Sequence, residues 1–487
     1  MSTDQRDIRI QKLLELRKLG INPYKDRFGR THTLKEARSL PLGTQGVRTA
    51  GRVMAIRLFG KLIFATIKDF SGQIQIALQE KLLGEKSFSF FKKYIDIGDF
   101  IGVEGIIFVT KKGEITIDTH QFELLSKTLR PLPEKWHGVS DKEILYRQRY
   151  LDLIMNEKTM ERFLQRTKII QVMRDFLNRA GFVEVETPVL QTKPSGALAT
   201  PFVTFHEAMD MPLYLRIAPE TYLKRCIAGG FEKVYEFARS FRNEGMDASH
   251  LQDFTLLEFY AAYWNYEDNM RFTEELITHV VETIKGSLEI TCDGKVIDFK
   301  PPWERIPIKE LIKRDAGIDI SKHRDPKELR RVIKEKGYEL PDIDNLNTVS
   351  LIDDLFKKVC RQKITNPLFV THHPIELSPL ARRNDSDPAI TDRFQLVING
   401  WEIVNAYSEL IDPLDQRERL MEQAKLHSRG DSEAMVMDED FLLAMEHGMP
   451  PISGWGMGVD RFVCLLTDQD NLRDVILFPL LKSAEME

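Results

Sequence analysis

The sequence predicts an α+β protein in two parts, a small closed β-barrel followed by a larger domain on an antiparallel sheet flanked by helices. Three observations predict it. Short runs of alternating polarity crowd into residues 46–118, a stretch with two prolines and a glycine follows at 126–142, and longer alternating runs mixed with helical ones fill the rest. Alternation with period two marks strands, and irregular mixing of strands with helices marks an antiparallel sheet rather than a regular parallel one. A length of 487 residues suits two or three domains.

Residues 8–39 keep helical spacing with basic side chains throughout. Three strands are then read at 46–57, 61–68 and 73–78, parted at Phe59-Gly60 and Ser71-Gly72. A helical stretch at 82–94 precedes two more strands, 99–109 and 114–118, around a Lys111-Lys112-Gly113 turn. Five short strands with a helix after the third fit a barrel of the OB type. Such a barrel, with a basic face and aromatic side chains, suits single-stranded RNA. The boundary is placed at 140, giving domains 1–140 and 141–487. Beyond it, Met160, Phe163, Leu164, Thr167, Ile170, Met173, Phe176 and Leu177 set out an amphipathic helix over 159–180, stopped by Gly181. Strands with interleaved helices are expected at 202–260 and 389–412, and mostly helices at 307–365.

Composition narrows the class. With 42% apolar and 29% charged residues the chain reads as an ordinary globular protein. No uncharged apolar run reaches the ~18 residues of a membrane span, and the N-terminal segment has no secretory pattern. Cys226, Cys292, Cys360 and Cys464 form no CxxC pair, which argues for reduced thiols in a cytoplasmic protein over a zinc site or disulfide framework. The net charge of −5 hides an asymmetry: residues 1–150 hold 27 Lys and Arg against 17 Asp and Glu, and the remainder 42 against 57. A basic end on an acidic body points to a polyanion bound by the first part.

Four runs carry chemistry. In VYEFARSFRNEG (234–245), read as a strand, Glu236, Ala238, Ser240, Arg242 and Glu244 share one face, and the Arg242 guanidinium is suited to clamping a phosphate or carboxylate. In FTLLEFY, Phe254, Leu256, Glu258 and Tyr260 share a face, a costly set to bury unless a cationic ligand satisfies it. In DRFQLVINGWEIVNAYSELIDP (392–413), Asn399-Gly400 makes a hairpin that sets Val397 opposite Glu402. Gln395 and Glu402 then share one parity while Asn405, Tyr407 and Glu409 share the other, so a bulge is needed to aim them at one site. Glu402 and Glu409 are candidate oxygen ligands for magnesium, with solvated strand carboxylates as the alternative. The fourth run, GWGMGVDR, reads as a glycine-rich approach to a helix carrying Arg461 in its first turns, with Val459, Phe462, Val463 and Leu466 on the helix's buried face.

Together these runs resemble the three motifs of a class II aminoacyl-tRNA synthetase: GFVEVETPVL the first, FRNEG with HLQDFTLLEFY the second, GWGMGVDR the third. The closer resemblance is to the lysyl-tRNA synthetase family, through KWHG, RQRYLDL, YLRIAPETYLKR, NAYSELIDP and RDVILFP, and it spans nearly the whole chain. The resemblance implies an OB-fold anticodon-binding domain and a class II catalytic domain. It also implies a cytoplasmic homodimer, and a lysine–tRNA ligase that uses ATP, L-lysine, tRNA(Lys) and Mg2+. It assigns catalysis to Arg242, Glu244 and Arg461, and ATP binding to these with His250, Phe254 and Glu402. Lysine would meet Gly196, Glu220, Glu258, Tyr260, Asn405, Tyr407, Glu409 and Gly456, and the metal Glu402 with Glu409. In the barrel, Phe64 beside Phe59, with Gln75 and Glu114, would meet anticodon bases. Four positions depart from the family's pattern: Gln395 for Glu, Leu251 for Asn, Ser195 for Gly and Thr200 for Arg. Gln395 is expected to weaken magnesium binding. The alternatives are an aspartate or asparagine synthetase, against which the acidic pocket argues, and a divergent paralogue acting as an RNA-binding or regulatory protein.

Overall fold

The computed structural model describes residues 2–133, 142–428 and 435–482, so KWHG and the expected boundary at 140 lie outside the described residues. The chain divides into two compact units, Met1–Asp141 and Lys142–Glu487.

In the first unit, β1 (Val47–Phe59), β2 (Leu62–Lys68), β3 (Gln73–Gln79), β4 (Phe100–Val109) and β5 (Ile115–Ser126) close a barrel in the order β1-β2-β3-β5-β4, with β4 paired back onto β1. Period-two alternation sends Ile63, Ala65 and Ile67 of β2 inward and leaves Phe64 and Thr66 on the outer face. Two short helices, Glu80–Leu83 and Glu85–Tyr94, follow β3, and Phe88, Phe91 and Tyr94 of the second pack on the barrel core. The helix expected over 8–39 forms only at its ends, as Ser2–Lys18 and Leu34–Arg38. Gly20, Pro23 and Gly29 interrupt it, and Thr33 and Glu36 start the second piece with reciprocal capping bonds.

The second unit contains β6 (Val183–Glu184), β7 (Leu190–Gln191), β8 (Val203–His206), β9 (Met211–Leu215), β10 (Lys233–Phe241), β11 (Asp253–Ala262), β12 (Glu289–Cys292), β13 (Lys295–Asp298), β14 (Glu304–Pro307), β15 (Leu368–Thr371), β16 (Arg393–Ile398), β17 (Trp401–Ser408) and β18 (Ile452–Gly458). Eight of them form one sheet in the order β14-β15-β16-β17-β18-β11-β10-β6, antiparallel except for the outer pairs β14/β15 and β6/β10. One face of the sheet is covered. Tyr235, Leu257, Phe259, Trp455 and Met457 join a core with the long helix Glu157–Arg179 and the helix Tyr266–Lys285, and the Phe259 and Trp455 rings stack at 4.7 Å. The long helix lies within two residues of the expected span, capped by Asn156 and followed by Gly181. The region 307–365 is helical as expected and keeps a core of its own around Leu311, Leu329, Ile333, Leu351 and Leu355.

Two of the quoted runs hold the fold together. Arg149 of RQRYLDL is buried, donates to the carbonyls of Arg473 and Leu477 in RDVILFP at 2.8 and 3.1 Å, and pairs with Asp152. Among the described residues, no helix is long and apolar enough to cross a membrane.

Candidate active site

The uncovered face of the large sheet carries the site, and strand register builds it in rows. Across β11, β18, β17 and β16, Glu258 pairs with Gly456, Gly456 with Asn405 and Asn405 with Gln395. One step along, Tyr260 pairs with Gly454, Gly454 with Tyr407 and Tyr407 with Arg393. The expected bulge is present: Val397 pairs with Glu402 but Leu396 with Val404, so Ile403 is extra and the two parities of β17 point to one face. GWGMG, read as a glycine-rich approach to a helix, is itself a strand, β18, and only VDRFVCLL is helical. Its alternate glycines face the site while Trp455 and Met457 face the core. A Cβ on Gly454 would lie 2.5 Å from the Tyr260 ring and closer still to Glu409 Oε1, so only glycine leaves this trench open.

A cavity of about 340 Å³ lies over these rows, lined by every residue named for the catalytic pocket except Glu409. At its more exposed end, Arg242 stands 5.1 Å above the Phe254 ring, a guanidinium and an aromatic face set against each other. Arg461 donates to the carbonyls of Glu402 and Ser249 at 3.2 and 3.3 Å, which fixes its reach beside His250. The other end is deeply buried and acidic. Burial, then repulsion from Glu220, drives the Glu258 carboxyl up to about 8 against the pull of Arg242. Glu220 opens the helix Glu220–Ala228 and accepts a 2.7 Å bond from the Tyr407 hydroxyl. Gly196 closes over it with φ +91°, where an added Cβ would sit 3.0 Å from that of Glu220. Glu409 is fully buried in an ion pair with Lys224.

The proposed metal pair is not brought together. Glu402 and Glu409 stand seven residues apart along β17 and its extension, roughly 20 Å at a strand rise of about 3.3 Å per residue, too far for two glutamates to share an ion. Gln395 is the better partner. It is a diagonal cross-strand neighbour of Glu402, and its Oε1 is buried with no hydrogen-bond partner. Carboxylate and amide oxygens are suitable donors for a hard divalent cation.

In the barrel, Phe64 lies on the outer face with its ring 6.1 Å from that of the exposed Phe59. Gln75, also partly exposed, donates to Thr116 Oγ1 at 3.0 Å, and Glu114 is exposed two residues before Thr116.

Residues 141–482 match the class II tRNA synthetases (D, K and N), and residues 47–125 the OB-fold nucleic acid binding domain. The chain is 50% identical over 477 residues to the lysine–tRNA ligase of Carboxydothermus hydrogenoformans, covering 98% of this chain and 97% of that one. It is 47% identical over 496 residues to the lysine–tRNA ligase of Thermotoga maritima, covering 100% and 98%. The chain belongs to the class II lysyl-tRNA synthetase family.

Three departures from the synthetase pattern are accommodated locally. Ser195 shares a 2.8 Å hydrogen bond with Thr221 in the first turn of the Glu220 helix. Thr200 accepts from the backbone N–H of Asn243 at 2.8 Å, tying its loop to the Arg242 strand. Leu251 joins the apolar core while lining the cavity, so no polar contact replaces the usual amide. Sequence reasoning missed two cations of this synthetase pocket. Arg393, beside Tyr407, donates to Asn405 Oδ1 at 2.8 Å and lines the cavity. Lys224 lies inside a quoted run, four residues after Glu220 on a helix, a spacing that signals the pairing but not its burial.

Proposed function

We propose that this pocket binds L-lysine at its acidic end and ATP at its arginine end. The chain is an ATP-dependent aminoacyl-tRNA ligase. A lysine carboxylate oxygen attacks the α-phosphorus of ATP, the bond to pyrophosphate breaks, and lysyl-adenylate forms. The terminal ribose hydroxyl of tRNA(Lys) then attacks the lysyl carbonyl and AMP leaves. Positioning and charge neutralisation supply most of the rate, since no protein nucleophile is needed. Arg242 holds the α-phosphate and the lysine carboxylate, and Arg461 the γ-phosphate. Phe254 stacks on adenine, with Glu244 and His250 on the nucleotide. Glu220 and the Gly196 backbone receive the α-ammonium, and Glu258, Tyr260, Asn405, Tyr407, Glu409 and Gly456 surround the side chain. Glu402 with Gln395 would hold Mg2+, which when bound neutralises phosphate charge.

One observation supports this reading above the others: three buried carboxylates and two tyrosines at one end of a cavity, Arg242 and Arg461 at the other. It matches a ligand with two ammonium groups and one carboxylate. An anionic aspartate side chain would meet acid there instead of a partner. In the barrel, Phe64, Gln75 and Glu114 are proposed to meet anticodon bases from the outer face. We also propose a homodimer, supported by exposed Val183, Leu190, Val203, Phe205 and Met209 around the first-motif strands. A cytoplasmic location is supported by four unpaired cysteines, three of them buried. The test is lysine-dependent ATP–pyrophosphate exchange across a magnesium titration, run with each other amino acid in parallel. Exchange confined to lysine is expected. A folded protein showing none at any magnesium level would overturn the reading.

A further inference from the structure

Lys224 is a fully buried cation behind the pocket. Its side chain has no exposed surface and does not line the cavity. It lies behind the site, 2.6 Å from Glu220 Oε1 and in contact with Glu409, with the Tyr407 and Phe441 rings 5.8 and 5.7 Å from its ammonium. Burial pulls its pKa down, but the two carboxylates outweigh burial and hold it above the ordinary lysine value. Glu409 is shared unevenly. Oε2 meets Lys224, while Oε1 has no hydrogen-bond partner and lies beside Gly454 and Tyr260.

We propose that Lys224 is a specificity-determining positioning residue, a resident counter-cation that fixes Glu220 and Glu409 from behind so that each presents a free oxygen to an incoming diammonium ligand. This rests on the lysine-binding reading of the pocket. Two buried carboxylates so close together cost several kcal/mol when no cation is shared between them. A cation supplied from the cavity side would block the ligand. Supplied from the helix behind, it neutralises one charge, holds both carboxylates in one geometry, and leaves Glu409 Oε1 for the ligand's far ammonium. Lys224 neutralises one of the three carboxyl groups Glu220, Glu258 and Glu409; burial holds a proton on Glu258 in the free pocket, and an arriving ammonium expels it.

The test compares wild type, Lys224→Met, Glu409→Gln and the double variant in lysine-dependent exchange, with KM measured for lysine and for ATP. Lys224→Met is expected to raise the lysine KM about 30-fold, as loss of a charged hydrogen-bond anchor does, with the ATP KM within about twofold. Because Lys224 acts partly through Glu409 and partly through Glu220, the double variant is expected to be worse than Glu409→Gln by clearly less than the single-variant factor, a non-additive pair. The double variant leaves fewer unpaired buried charges, so it keeps the comparison available if Lys224→Met folds poorly. An unchanged or lowered lysine KM in Lys224→Met overturns the proposal, the latter pointing to a lysine that competes with substrate. So does a parallel rise in both KM values, or a double variant worse than Glu409→Gln by the full single-variant factor. Absence of exchange in wild type would instead sink the lysine-binding reading itself.

Discussion

The molecule buries two lysines in the same way and uses them differently. In the barrel unit, Lys127 has no exposed side-chain surface and donates to Asp96 Oδ2, Asp99 Oδ2 and the Tyr94 carbonyl at 2.5, 2.7 and 2.8 Å. Its carboxylates are completed elsewhere: Asp99 accepts the N–H groups of Thr128 and Asp96, and Asp96 accepts from Lys12. In the catalytic unit, Lys224 also holds two carboxylates, yet Glu409 Oε1, and on the same sheet face Gln395 Oε1, have no partner. A closed network spends its polarity on the fold, whereas an open one keeps acceptors for a ligand.

The largest expected effect breaks the closed network. Lys127→Met leaves Asp96 and Asp99 facing each other under the barrel, and removing one partner of a buried pair costs about 3–5 kcal/mol. Thermal melting is expected to show an early transition of the barrel unit. Lysine-dependent exchange below that transition should stay within about twofold of wild type, because distant sites act independently. A lost exchange activity in folded protein would mean that the two networks are not separate in kind.

The open network should respond to pH instead. Glu258 faces Glu220, Glu236, Arg242 and Tyr260, and its carboxyl stands at about 8 against an ordinary 4.5. The free pocket therefore holds a proton that a bound ammonium would expel. Lysine affinity measured by calorimetry is expected to rise with pH, by up to about tenfold per unit, and to level off above about 8. The stability of the unliganded protein runs the other way. The folded state binds more protons than the unfolded one between 4.5 and about 8, so stability falls as pH rises through that window. Glu258→Gln is expected to flatten both dependences while weakening lysine binding. A slope that persists in Glu258→Gln would assign the proton to another group.

This contrast between networks is also where the sequence stops being legible. Local pattern was enough for four barrel strands and the start of the fifth, which runs on to Ser126, and for the long helix. It was enough too for the face shared by Glu258 and Tyr260, and for the need of a bulge in β17 though not its place at Ile403, because each depends on spacing within one or two strands. The glycine run, Gly454, Gly456 and Gly458, gave its role, room for a close approach, but not its secondary structure, which the reading as a lead-in to a helix missed. Their alternation with Trp455, Met457 and Val459 is the period of a strand with one face left empty. The Glu402–Glu409 metal pair failed because shared parity says nothing of distance along a strand. Lys224 was invisible as a pocket residue since its second partner, Glu409, is 185 positions away in sequence.

The smallest expected effect adds to the open network rather than removing from it. Gln395 sits in the row of Glu258, Gly456 and Asn405, diagonal to Glu402, with its amide oxygen buried and unpartnered. Gln395→Glu puts a second carboxylate beside Glu402. Two charged oxygens bind a hard cation better than one charged and one neutral oxygen, so the magnesium concentration for half-maximal exchange is expected to fall about fivefold, with the lysine KM unchanged. The same charge is a liability when no cation is present, since a buried carboxylate without a partner destabilises the fold. Melting in a chelator is therefore expected to occur at lower temperature in Gln395→Glu than in wild type, with the gap closing as magnesium is added. If magnesium dependence and melting temperature are both unmoved, the unpartnered oxygen of Gln395 does not belong to the cation site, and the open network ends at Glu409.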